Sequence, residues 1–303
     1  MTPKVSIIVL NWNRHQDTIE CILSIRKINY PCYEIVIVDN GSTDGSEEIL
    51  RHAFSEIKLI QTGENLGFAE GNNVGIRYAL DNGADYSVIL NNDTTVDEGF
   101  VTELVNAAES DRSIGIASSK IYFYDKPDVL WYAGAVLDLK TGKSKHIGYN
   151  EKDAGQYDTM QETDRACGCS MMISRRACET AGLMDPGYFC YGEEADWSLR
   201  VREAGYKVVF VPESKVWHKI SATTGGASTG YYLYYSVRNH LRLVKTHLPL
   251  RPAGLSILRD VLIVSRYICS LFTMKVSKVK GLKIIWSGMI DSYRNRFGRK
   301  VLL

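Results

Sequence analysis

The chain has 303 residues, 45% hydrophobic and 23% charged, enough apolar content for one large core or two fused halves and too much for a disordered chain. Its formal net charge of +1 hides an asymmetry: from Tyr232 onward fourteen Lys/Arg face only Asp260 and Asp291, so a +12 tail follows a −11 body. The tail interleaves its cations with aliphatic runs rather than aromatic platforms, which argues against nucleic acid as a partner and for an anionic membrane surface.

Residues 5–10, an apolar run after Lys4 that is broken by Asn11 and Asn13, are too short for a leader and read as a first strand. Seven cysteines, an odd number without Cys-x-x-Cys spacing, read as reduced thiols of a cytosolic protein. Further strands are predicted over 34–38, 57–61 and 87–90, with helices near 16–28, 45–54 and 69–82 between them. This alternation predicts an α/β fold with a doubly wound, mostly parallel sheet whose ligands sit at the carboxyl ends of the strands. Strand-like runs follow over 114–118, 129–136, 169–173 and 207–211, with a helix near 193–204, and they extend the sheet into an opposing wall. The organisation expected is a nucleotide-binding half over 1–110, an acceptor-binding and catalytic half over 111–228, and a basic helical region over 229–303.

Spanning a bilayer with 255–274 would place Arg259, Asp260 and Arg266 in hydrocarbon at about 2.5–3.5 kcal/mol each, against roughly 0.3–0.6 gained per aliphatic residue. Leu258, Val261, Leu262, Ile268, Cys269, Phe272, Val276 and Val279 instead form a helical stripe. Two readings fit it: a helix lying in the membrane interface, or one packed on the body of the protein.

Three polar clusters carry the chemistry. Asp39 ends the second strand and opens Asp39-Asn40-Gly41-Ser42-Thr43-Asp44-Gly45, which serves either as a turn and helix cap or as a contact to a nucleotide's base or ribose. It is not a Gly-x-Gly-x-x-Gly fingerprint, and no phosphate loop of the Gly-Lys-Ser/Thr type occurs. Asn91-Asn92-Asp93 follows a buried strand, where a carboxylate suits a metal ion better than packing. Glu193-Glu194-Ala195-Asp196-Trp197 opens a helix, where paired acids also serve the helix dipole and Asp196 can simply pair with Arg200.

Eight segments in order resemble the inverting nucleotide-sugar glycosyltransferases of glycosyltransferase family 2. They are Val9-Leu10-Asn11-Trp12-Asn13, the loop after Asp39, residues 65–75 with Asn65, Gly67 and Asn72, Leu90-Asn91-Asn92-Asp93, Gly168-Cys169-Ser170-Met171, the Glu193 cluster with its flanks, Val216-Trp217-His218, and Tyr235-Ser236-Val237-Arg238-Asn239. The resemblance implies a GT-A fold and a divalent cation, Mg²⁺ or Mn²⁺, on Asp93, with His218 as a further ligand or as a structural histidine. Glu194 matches the general base; many relatives carry Asp there, so Glu193 stays as the alternative. Asn11, Asn13, Asp39, Asn65, Gly67, Asn72, Asn91, Asn92, Asp93 and Arg238 fall on the donor side, and Cys169, Ser170, Asp196 and Trp197 on the acceptor side. Trp131, Trp197 and Trp217 either stack on sugars or fill the core. The implied donor is dTDP-rhamnose first and a UDP-sugar second, the acceptor a saccharide or lipid-linked saccharide of a surface polysaccharide, and the location the inner face of the membrane. A sugar-phosphate nucleotidyltransferase is a rival, although Asn11-Trp12-Asn13-Arg14 lacks the glycines its first loop needs. A non-catalytic saccharide-binding homologue is another.

Overall fold

A computed structural model describes residues 2–138, 140–219, 230–248, 253–274 and 276–300; the boundary expected at 228–229 lies outside them. The first strands are β1 (Val5–Asn11), β2 (Tyr33–Asp39), β3 (Lys58–Gln61) and β4 (Tyr86–Asn91), joined by α1 (His15–Ile25), α2 (Ser46–Ala53) and α3 (Gly67–Asp81). β1 pairs in parallel with β2 and β4, and β2 with β3, giving the order β3-β2-β1-β4. Strand progression reverses between β1 and β4, so a crevice opens at their carboxyl ends, where Asn11 and Asn91 stand.

Alternation of side chains lets one strand feed two cores. Val5, Ile7 and Val9 pack with Ile22 and Ile25 of α1, whereas Ile8 packs with Ile76 of α3. α3 lies so close to β1 that a Cβ on Gly75 would sit 2.4 Å from Ile8 Cγ2, which is why that helix face carries glycine.

β5 (Thr94–Val96) and α4 (Phe100–Ser110) lead into β6 (Ile114–Phe123), β7 (Lys126–Tyr132), β8 (Ala135–Asp138), β9 (Lys143–His146) and β10 (Gln161–Glu162). β11 (Ser170–Ser174), α5 (Arg175–Ala181), α6 (Glu193–Glu203) and β12 (Lys207–His218) follow. β11 runs antiparallel to both β4 and β6 and so stitches the parallel block to β6 and β12, which pair in parallel. The doubly wound sheet predicted from the sequence is therefore continuous, with its second half mixed.

Two boundaries differ from expectation for local reasons. The strand predicted over 129–136 breaks at Gly134, whose φ of 105° turns the chain so that β8 leaves the sheet and pairs with β9. The strand predicted to stop at 211 runs on to His218, because Pro212 falls within a register shift between Val211 and Lys215, where a missing N–H does not cost a ladder bond.

α7 (Gly230–His247), α8 (Ala253–Ser270) and α9 (Lys278–Tyr293) complete the described chain. α7 and α9 form a third core in which Leu233, Tyr235, Val237 and Ile284 enclose Phe189 and Cys190. α8 joins that core through Ile263 and also buries the charged pair Arg259 and Asp260, while Leu255, Leu258, Val261 and Leu262 are exposed. The stripe beginning at Leu258 thus faces solvent rather than the body of the protein. No described helix is long and apolar enough to cross a membrane.

Candidate active site

The carboxyl ends of the first four strands are tied by one chain of side-chain hydrogen bonds. Asn92 Nδ2 donates to Thr18 Oγ1 (3.0 Å), Thr18 Oγ1 to Asn11 Oδ1 (2.7 Å), Asn11 Nδ2 to Asp39 Oδ1 (2.8 Å), and Gln61 Nε2 to Asp39 Oδ2 (2.7 Å). Asp39, fully buried, also accepts from the Ser42 hydroxyl, so donors from the protein surround both of its oxygens. Asn13, at φ 55°, accepts from Thr43 N through Oδ1 and knits two loops together. Asn40 donates to Asn65 Oδ1 (3.3 Å) and to the Gly67 carbonyl (3.1 Å), which fixes the start of α3 against the end of β2. Thr18, Asn40 and Gln61 were not predicted from the sequence, which offers only an ordinary threonine, asparagine and glutamine at those places.

Asp93 follows β4, and His218 reaches it because β12 pairs with β5 in a register that sets His218 opposite Thr94. His218 Nε2 lies 3.1 Å from Asp93 Oδ1, and both side chains are buried. Burial pushes the Asp93 carboxyl up, but the His218 hydrogen bond and charge, with Lys219 behind them, hold it below the usual carboxylate range. Trp131 stacks edge-on against His218 at 5.0 Å and against His146 at 4.6 Å. Burial first, then the Arg165 charge, pull the His146 imidazole down to about 4, against the bond to the Trp131 carbonyl. His146 is therefore neutral, and because a carbonyl can only accept, its Nδ1 carries the proton at 3.0 Å from Trp131 O. His146 also lines a groove of about 240 Å³ with Lys145, Tyr149 and Tyr157.

The loop before α6 carries three left-handed residues in a row of four, Phe189 (φ 64°), Tyr191 (φ 66°) and Gly192 (φ 98°). Backbone strain of this kind persists where the surroundings dictate it. Here Phe68 N donates to the Phe189 carbonyl at 2.6 Å, and a Cβ on Gly67 would lie 2.4 Å from that carbonyl oxygen. The donor-side segment and the acidic loop are thus in contact, and Gly168 has Phe68 on one side and Glu194 Cβ (3.8 Å) on the other. Glu194 Oε1 accepts from Arg165 Nη1 at 3.3 Å and its Oε2 from Gly192 N at 3.2 Å. Glu193 is buried and has no ion pair among the described residues, and burial, then the Glu194 charge, push its carboxyl well above the ordinary range. The two adjacent acids are consequently unlike: Glu193 is held neutral, and Glu194 carries the cation. Arg165, which the sequence analysis missed, also donates through Nε to Ser144 Oγ (2.6 Å).

Asp93, His218, Trp131 and His146 touch in sequence, and Ser144, on the same strand β9 as His146, accepts from Arg165, which pairs with Glu194, so β9 joins the cation-type site to the helix start. Of the six buried side-chain polar atoms without a hydrogen-bond partner among the described residues, three belong here: Asn72 Oδ1, Glu193 Oε2 and His218 Nδ1. Native interiors rarely leave such atoms unpaired.

Other residues singled out from the sequence lie elsewhere. Cys169 and Ser170 are buried at the β4–β11 junction, where Asn91 N donates to the Cys169 carbonyl and Ser170 Oγ shares a 2.8 Å bond with Ser119. Trp197 is fully enclosed in the second core and donates to the Gly182 carbonyl at 2.7 Å, which leaves no ring face for a sugar. Arg238 is buried in α7 and donates to the Gly187, Tyr188 and Gly298 carbonyls rather than facing the crevice.

Asp196 points away from the crevice and clasps α6 to α7, accepting from Arg200 Nε (2.8 Å) and lying 2.8 Å from His247 Nε2. Burial opposes charge on both partners, yet their mutual bonds prevail: the Asp196 carboxyl is lowered and the His247 imidazole raised. The raised histidine makes its contribution fully present below about pH 6.5 and lost as pH rises through its folded value. The lowered aspartate does the reverse, losing its share as pH falls toward its own folded value. His247→Gln should therefore lower Tm by about 2–4 °C near pH 6, and differential scanning calorimetry should find that deficit shrinking toward zero by about pH 9.

Among the described residues no group of three or more His, Cys, Asp or Glu could cage a metal ion. The site offers two donors, one buried carboxylate and one imidazole with an unpartnered nitrogen. That set fits a cation whose remaining positions go to substrate phosphates and water.

Residues 6–182 match the family described as Glycosyl transferase family 2. The chain is 27% identical over 244 residues to the low-salt glycan biosynthesis hexosyltransferase Agl10 of Haloferax volcanii, covering 79% of this chain and 75% of that one. It is 26% identical over 277 residues to the dTDP-rhamnosyl transferase RfbF of Shigella flexneri (88% and 90% covered). Its identity to the N-acetylglucosaminyl-diphospho-decaprenol L-rhamnosyltransferase of Mycobacterium tuberculosis is 24% (70% and 75% covered). In three dimensions it resembles the mannosyltransferase PcManGT of Pyrobaculum calidifontis in complex with GDP-Man and Mn²⁺ (TM-score 0.60, 14% identity, 98% and 88% covered). It also resembles GalNAc-T7 with UDP, GalNAc and Mn²⁺ (TM-score 0.65, 17% identity), matching 90% of this chain but 58% of that one.

Proposed function

Because this chain belongs to glycosyl transferase family 2 and has the GT-A fold of its structural neighbours, we propose that it moves a sugar from a nucleoside diphosphate to a hydroxyl of a saccharide or lipid-linked saccharide, with inversion at the anomeric carbon. The observation that carries this reading is that β9 joins the two ends of the site, with His146 in contact with Trp131 and so with His218 and Asp93, and Ser144 bonded to Arg165, which pairs with Glu194. Asp93 and His218 would hold Mg²⁺ or Mn²⁺, which when bound would offset the charge that builds on the departing diphosphate. Glu194 takes the proton of the acceptor hydroxyl as that oxygen attacks the anomeric carbon from the face opposite the nucleotide. The bond from that carbon to the diphosphate breaks, and its electron pair leaves with the phosphate oxygen.

Arg165 keeps Glu194 in position, while the neutral Glu193 adds no like charge beside it. Asn65, Gly67 and Asn72 belong to the donor-side segment, and the Asn11, Asn13, Asp39 and Asn92 side chains, with the Asn91 backbone, stiffen the strand ends beneath it. The groove at His146 and Tyr149 suits a saccharide acceptor, offering aromatic faces and a neutral imidazole. Asp196, Trp197, Cys169, Ser170 and Arg238 act by positioning these groups.

The named activity of the Shigella flexneri relative supports dTDP-rhamnose as the first donor to test, ahead of UDP-sugars, and that of the Mycobacterium tuberculosis relative supports a lipid-linked acceptor. Family membership leaves the nucleotidyltransferase alternative without support. A panel of nucleotide-sugars, assayed for released nucleoside diphosphate with and without Mn²⁺, should give cation-stimulated turnover with dTDP-rhamnose above the UDP-sugars. Failure of every donor to release diphosphate in the presence of saccharide acceptors would favour the non-catalytic homologue instead.

A further inference from the structure

α8 packs Ile263, with Val264 and Tyr267, into the third core, yet leaves a second apolar face uncovered. Its buried side holds the charged pair Arg259 and Asp260, with Arg259 donating to Asp260 Oδ1 (3.2 Å) and to the Leu248 carbonyl, and Tyr293 donating to Asp260 Oδ2 at 2.8 Å. Its outward side exposes Leu255 (48%), Leu258 (56%), Val261 (58%) and Leu262 (52%). Phe272, just beyond, is 79% exposed, and α9 continues the pattern with Val279, Leu282 and Trp286 at helical spacing. Lys278, Lys280 and Lys283 are exposed beside that second stripe, and Arg266 and Lys140 flank a groove of about 250 Å³ along Leu258 and Leu262.

An exposed apolar face of this extent marks a docking surface, and the charge around it selects the occupant. The chain from Tyr232 onward carries +12 while the rest carries −11. A second copy would bring cations against cations, whereas an anionic bilayer would take the apolar side chains into its headgroup boundary and attract the lysines around them. We propose that α8 and α9 dock this protein on an anionic lipid surface, lying in the interface rather than crossing it. Because Ile263 and the Arg259–Asp260 pair already anchor the inner side of α8 to the protein, the outer leucines and valine are left free to meet lipid.

The full-length protein should sediment with vesicles containing phosphatidylglycerol and weakly or not at all with pure phosphatidylcholine. Leu258→Glu with Leu262→Glu should reduce that binding by about tenfold or more. Lys278→Glu with Lys280→Glu and Lys283→Glu should reduce it by roughly fivefold or more per lysine at low salt, and less at high salt. All these positions are exposed, so far-UV circular dichroism should be unchanged, as should transfer to a soluble acceptor. Equal sedimentation of the leucine variant, absence of binding by the wild type, or light scattering that shows a dimer dissolved by the same leucine substitutions would each overturn the proposal.

Discussion

Glu194→Gln is expected to lower kcat by about 10²–10⁴-fold while leaving donor affinity within error of the wild type. Glutamine keeps the length and volume of the side chain, so the packing on Gly168 survives and its one oxygen can still accept from Gly192 N, at the expense of the Arg165 bond, but it cannot accept a proton from the acceptor. The matched experiment is Glu193→Gln. Burial already holds that carboxyl in its neutral form, so an amide of the same shape should change kcat by much less. Steady-state kinetics on the two variants therefore assigns the base: loss of turnover in Glu193→Gln with activity kept in Glu194→Gln would reverse the roles argued above. The pH profile adds a check, because the limb that reports the base should vanish in Glu194→Gln and persist in Glu193→Gln.

Asp93→Asn is expected to abolish the metal dependence of nucleoside diphosphate binding and to lower kcat/KM by at least about 10²-fold. The carboxylate is buried and held below its ordinary pKa by His218, so it stays charged through neutral pH, and the asparagine removes one negative charge from a place with few other hard ligands. His218 is left facing an amide, with its Nδ1 still unpartnered. Calorimetric titration of the nucleoside diphosphate with Mn²⁺ and with a chelator measures the effect. Wild-type affinity that is the same under both conditions would remove Asp93 and His218 from any cation site.

Much of this site could be read from the chain because its parts end strands. Asn11 and Asp39 end, and Asp93 closely follows, a largely apolar strand run, and buried parallel strands announce both themselves and their carboxyl ends. Glu193 and Glu194 were visible for a similar reason, at the start of a periodic helical pattern. Arg165 and His146 were not. They belong to short, irregular pieces whose neighbours are fixed only by tertiary packing, and nothing in the residues around them distinguishes a site arginine from a surface one. Arg238 and Trp197 sit beside recognisable motifs, but the direction of a side chain on a helix depends on what the helix packs against, and both turn into the core, the packing alternative already open for Trp197. The outward face of α8 was legible as a period but not as an orientation, since a stripe of leucines does not say whether protein or water lies beneath it.

β12 has a further consequence. Its bulge at Pro212 is the hinge that delivers His218 to Thr94, and side chains on a strand alternate sides with every step. Gaining or losing one residue between Val211 and Lys215 would swing the imidazole to the opposite side of the sheet, out of reach of its aspartate. Length there is as fixed as the buried Ser214, which bonds Ser119 and the Phe100 carbonyl: anyone transplanting this region or building chimaeras across it must preserve the spacing as well as that serine.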